Sequence, residues 1–131
     1  MESTERTTPN GLRTEITDNT QTGRFEASID GHLVGWQPYR RYGNHVVLMR
    51  TEVDEQWRTQ GISSAMIDGI LGMIRITGAT VIPRCKVAGD YIYRHPEYLD
   101  LVTEQYRALL QPISRPAVNP ADSEPEYGLG T

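Results

Sequence analysis

Apolar and polar residues alternate from Arg24 to Ile29, and that two-residue period predicts a strand. Asp30-Gly31 follows, a pair suited to a two-residue hairpin turn. A second strand is expected over 32–36, interrupted at Pro38, with a loop over 40–44. His45 to Val53 reads as the longest strand, so this stretch predicts an antiparallel meander. The period then changes. Ile62, Ala65, Met66, Gly69, Ile70, Met73 and Ile74 fall at helical spacing, and Gly78 is placed to end that helix. Ala79 to Pro83 is a short β-branched strand. The order strand, helix, strand implies a right-handed parallel crossover. A short helix is expected over 88–94, stopped by Pro96, and a last one over 98–110, ended by Pro112. The predicted fold class is α+β: a twisted mixed sheet of four to five strands with two to three helices packed on it.

The ends read differently. Residues 1–23 are rich in Thr, Glu, Asn and Gly and poor in large apolar side chains, so they are expected to form a disordered tail. Residues 112–131 carry Pro112, Pro116, Pro120 and Pro125 and predict a second, Pro-rich tail. The folded unit is then 24–111, one domain within 131 residues.

Charge sharpens this division. The net charge of −4 comes from 17 acidic and 13 basic residues, and the predicted core is neutral because the excess acid lies in the two ends. The absence of a basic cluster argues against nucleic acid as a partner. No apolar run approaches the roughly 18 residues that span a membrane. A single cysteine, Cys85, excludes an internal disulfide and a cysteine-based zinc site. His32 and His45 lack ligand spacing, so no metal is expected, and the setting is read as a reducing cytoplasm.

Candidate chemistry concentrates between Val53 and the helix beginning near Gly61. Unpaired amides and a partial positive charge at a helix N-terminus suit a phosphate. Arg58 adds a full charge, Gly61 permits close backbone approach, and Ser63 and Ser64 offer hydroxyls. A polar loop before an ordinary helix accounts equally for these residue types taken alone.

Gln56-Trp57-Arg58-Thr59-Gln60-Gly61 resembles the Gln/Arg-x-x-Gly-x-Gly/Ala signature of the GNAT superfamily of N-acetyltransferases. Thr59 stands where that signature has its first glycine. A β-branched residue tolerates positive φ badly, so the loop is expected to adopt another conformation there or to bind more weakly. The flanks extend the likeness to the small single-domain subfamily. Arg50-Thr51-Glu52-Val53 precedes the loop, and Val81-Ile82-Pro83-Arg84-Cys85 and Tyr91-Ile92-Tyr93-Arg94-His95-Pro96-Glu97-Tyr98 follow it. Lys86 to Asp90 departs from that pattern.

The resemblance implies a minimal GNAT-like fold with acetyl-CoA as co-substrate, held by Thr51, Val53, Gln56, Arg58, Thr59, Gln60, Gly61, Ile62 and Ser63. It implies catalytic roles for Cys85, Tyr91 and Glu52. Glu52 is a candidate base, or pairs with Arg50 or Arg58. Tyr91 is a candidate acid for the departing thiolate, or a packed aromatic with its hydroxyl bonded. Cys85 is a candidate nucleophile, or a small buried hydrophobe. The expected function is acetyl-CoA-dependent N-acyl transfer to an unidentified amine. The rival readings are a CoA-binding module without catalysis and a protein-interaction domain.

Overall fold

The structure is a computed structural model that describes residues 2–110. Seven strands form one curled sheet: β1 (Ser3–Thr7), β2 (Arg13–Asn19), β3 (Arg24–Ile29), β4 (His32–Tyr42), β5 (His45–Leu48), β6 (Glu52–Val53) and β7 (Thr80–Pro83). Helix α1 (Ile62–Thr77) crosses from β6 to β7, α2 (Lys86–Arg94) follows β7, and a short α3 (Glu104–Arg107) comes last. The fold class is α+β, as the periodicities imply. The hairpin at Asp30-Gly31, the parallel β5–β7 pairing and the end of α1 at Gly78 also stand where expected.

The strand count exceeds the expected four to five, and the difference lies largely in residues 1–23. That stretch is no tail: β1 pairs antiparallel with β2, and β2 with β3. Few apolar residues suffice, because ladder hydrogen bonds satisfy the backbone and only alternate positions turn inward. Those positions in β2 are Thr14, Ile16 and Asp18, all buried. Threonine suits a strand. Asp18 is tolerated because Tyr39 donates to it at 2.6 Å and Arg41 at 3.2 Å. Gly69 of α1 lets β2 approach, since a Cβ there would meet Ile16 Cδ1 at 3.0 Å.

The expected long strand over 45–53 is broken in two. Strand β4 runs through Pro38 to Tyr42 rather than stopping, and it serves both halves: Tyr39 pairs with Leu48 of β5, and Trp36 with Glu52 of β6. Three steps along β4 therefore face four on the other side, which makes a bulge at 49–51. Pro38 has no N–H to donate into the ladder. Its carbonyl accepts from Met49 N at 2.9 Å, and the chain then swings outward. The bulge turns β6 away from β5, which opens the sheet beside β7.

The predicted helix over 98–110 is replaced by a 3-10 segment (Pro96–Leu101), an extended Val102 and then α3. Burial overrides helical spacing here. Val102 is 1 % exposed and bridges Val81 in parallel, and the Thr103 side chain caps α3. The core lies between the sheet and α1, with Ile16, Phe25, Val34, Val46 and Leu48 on one side and Ile62, Met66, Ile67, Ile70 and Leu71 on the other. The expected Pro-rich tail lies outside the described residues.

Candidate functional site

Two adjoining cavities lie beside the N-terminal turns of α1 and α2 and share Ser63 and Val87. The smaller, about 340 Å³, lies at the N-terminus of α1. Thr51, Glu52 and Val53 form one wall; Arg58, Thr59, Gly61, Ile62 and Ser63 form the other. The turn between them folds locally. The Asp54 side chain accepts from Gln56 N and caps a 3-10 turn over Glu55–Trp57. Thr59 (φ 69°) and Gly61 (φ 81°) then both take the left-handed conformation before α1 starts. The expected escape of Thr59 into another conformation is therefore corrected: it adopts the backbone that glycine would, at a strain of about 1–2 kcal/mol. Arg58 forms no ion pair among the described residues.

Two of the nine expected cofactor contacts stand apart from this cavity. Gln60 accepts a hydrogen bond from Asn10 at 2.9 Å, and Gln56 contributes its backbone N–H to the Asp54 cap. Glu52 does line the cavity, but its carboxylate pairs with Arg50 at 2.8 Å.

The larger cavity, about 790 Å³, runs between α1 and α2 and shares Ser63 and Val87 with the first. Cys85 and Tyr91 both lie on its wall. Cys85 is buried, at the N-cap of α2. Its Sγ is 3.0 Å from Thr51 Oγ1 and accepts from Ala88 N at 3.4 Å. Thr51 in turn donates to Oε1 of Gln37 at 2.5 Å. A threonine has one hydroxyl proton. With that proton on Gln37, the Thr51 oxygen accepts from the Cys85 S–H. The chain of bonds ends on an amide oxygen and contains no base.

Tyr91 is also committed. Its hydroxyl donates to Asp68 of α1 at 3.0 Å, and its ring stacks on His95 with centroids 3.9 Å apart. Asp68 further accepts from Tyr98 and from Arg6 of β1. Burial, then the bond to Asp68, pushes the Tyr91 phenol above its ordinary value; the same causes lift Tyr98 to about 12. Burial would raise Asp68, but hydrogen bonds from Tyr98, Arg6 and Tyr91 outweigh it and hold the carboxyl low. Of the two expected roles, acid or packed aromatic with a bonded hydroxyl, the geometry matches the second in that the Tyr91 proton is directed at Asp68.

Gln37 and Asp68 are absent from the sequence-based expectations. Gln37 carried a usable signal, a polar residue at an inward position of a strand. Asp68 carried none, because its partners come from β1, α2 and the segment after it.

With this geometry in view, residues 24–101 match the model of the GCN5-related N-acetyltransferase family. The chain belongs to that family. Among solved structures it is similar to Ard1 from Thermoplasma volcanium, at 24 % identity and a TM-score of 0.42 over 47 % of this chain and 43 % of that one. The chain thus matches less than half the length of that relative. No curated protein matches the sequence. Among the described residues no helix is long and apolar enough to cross a membrane, and no cluster of three metal-ligating side chains occurs.

Proposed function

We propose that this chain transfers the acetyl group of acetyl-CoA directly to an amine. The carrying observation is the cradle at the start of α1. Two left-handed residues, Thr59 and Gly61 on either side of Gln60, precede the N-terminus of α1, and Arg58 beside them has no ion pair among the described residues. That combination of backbone donors, helix terminus and cation fits a diphosphate. The strand end Thr51–Val53 continues the same cavity and offers backbone to the pantetheine arm. The thioester end then lies toward Ser63 and Val87, which the two cavities share.

The transfer itself asks little of the side chains. The amine nitrogen attacks the thioester carbon, a C–N bond forms and the C–S bond breaks. CoA leaves as a thiolate, and the proton lost by nitrogen returns to that sulfur through solvent. Glu52 is the proton relay in this reading. Its carboxylate is about 42 % exposed, so water reaches it despite the pair with Arg50. A thiol with a reference pKa of about 8.5 is a good leaving group, so a committed Tyr91 does not block the step.

Direct transfer is favoured over an acetyl-Cys85 intermediate because no base touches Cys85; its S–H faces Thr51. Incubation with acetyl-CoA followed by intact-mass measurement tests this. Direct transfer predicts unmodified protein and acetylated amine. Accumulated acetyl on Cys85, released on adding amine, would establish the covalent route instead.

A further inference from the structure

The larger cavity holds charges that acetyl transfer from the cradle does not use. Arg84 and Lys86 lie on its wall on either side of Cys85, and both are exposed. Neither forms an ion pair or a side-chain hydrogen bond among the described residues. Arg94 is matched by Asp90 at 3.1 Å, and no other carboxylate lines the cavity. The wall is therefore cationic in a chain whose net charge is −4. Pro83, Tyr106, Leu109 and Leu110 make its outer side apolar. Those last three lie beyond residue 101, where the family match ends.

We infer that this cavity is the acceptor pocket and that the acceptor is an amine carrying an anionic group, a carboxylate or a phosphate, on an apolar frame. The inference rests on the acetyl-transfer reading above. The cavities share Ser63 and Val87, so a thioester presented from the cradle lies beside the larger space. An anion on the acceptor pairs with Arg84 and Lys86, while its chain lies along Tyr106 and Leu110. The same cations help the chemistry. Positive neighbours disfavour an ammonium, so they shift a bound amine toward the neutral, attacking form. A polyamine meets the opposite field and is rejected. Tyr91, its proton held by Asp68, presents an oxygen lone pair that accepts from an amine N–H.

The experiment uses four amines of equal length: 6-aminohexanoate, 6-aminohexyl phosphate, 6-aminohexanamide and 1,6-diaminohexane. Thiol release from acetyl-CoA gives kcat/KM for each, with the acetylated product checked by mass. At least one anionic amine should exceed the amide and the diamine by tenfold or more, and the faster arm distinguishes carboxylate from phosphate. The double variant Arg84→Met, Lys86→Met should erase that preference while acetyl-CoA affinity stays within twofold. Leu109→Glu, at an exposed side chain, should shift preference toward the diamine by fivefold or more. Equal rates, a diamine preference in the wild type, or turnover of neither anionic amine would overturn the inference. So would a tenfold loss of acetyl-CoA affinity in the double variant, which would assign the cations to the cofactor. Failure of acetyl-CoA to bind the wild type defeats the underlying reading as well.

Discussion

The two cavities are built from different materials. The cradle comes, apart from Val87 of α2, from one stretch of chain: the end of a bulge, a short strand, a 3-10 turn and a helix start. The larger cavity is made of side chains from α1, the β7–α2 junction, α2 and the segment around α3. A backbone site tolerates substitution wherever the conformation survives, as Thr59 at a left-handed position demonstrates. A side-chain site changes character with each residue. On the proposed reading, the cradle holds the co-substrate and the charge and shape of the other space select the acceptor.

The comparison breaks most severely at Gly61. Its φ of 81° and the nearness of Pro9 Cδ, 3.3 Å from a hypothetical Cβ, leave little room for a side chain. Gly61→Glu adds bulk and a negative charge where the diphosphate is proposed to sit. Acetyl-CoA affinity should fall by about 100-fold or more, roughly 2.7 kcal/mol. Calorimetry checks the affinity, and circular dichroism confirms that the variant is folded.

Asp68 comes next, because it ties β1 and α2 to α1. Asp68→Asn leaves Arg6 without its carboxylate and weakens both tyrosine contacts, so unfolding free energy should drop by about 2 kcal/mol in urea titrations. The pH sign follows from the depressed carboxyl. A group held below its unfolded value stabilises the fold above that value, here about 3.8, and the contribution is lost as pH falls through the folded value. Wild-type stability should therefore decline on acidification below about pH 4 more steeply than that of the variant.

Smaller effects sharpen the account. Cys85→Ala removes no catalytic proton or nucleophile in direct transfer, so kcat should change by less than about tenfold, or 1.4 kcal/mol. A collapse of activity would restore Cys85 as the covalent carrier. Thr59→Gly relieves the left-handed strain but adds unfolded-state freedom, so stability should rise by about 0.5–1 kcal/mol. Acetyl-CoA affinity should hold or improve slightly in that variant.

The same contrast explains what was legible in the sequence. The helical spacing of α1, the hairpin at Asp30-Gly31 and the cradle loop are local patterns within one stretch of chain, and they stand where the residues imply. Strands β1 and β2 were illegible, because Thr14 and Asp18 are polar residues buried by long-range partners. The split of 45–53 depends on Pro38, which sits across the ladder rather than beside it. The larger cavity is further removed, since Tyr106 and Leu110 join Cys85 on its wall only after α2 and the 3-10 segment have turned the chain back. Cys85 and Tyr91 stood out in the sequence, but their hydrogen-bond partners Thr51, Gln37 and Asp68 are what define the chemistry open to each.

Titration calorimetry of the full chain with acetyl-CoA decides whether the α1 cradle holds that co-substrate. One site per chain with a dissociation constant in the micromolar range is expected, and its loss in Gly61→Glu. No heat of binding at millimolar acetyl-CoA, or equal affinity in Gly61→Glu, would contradict it.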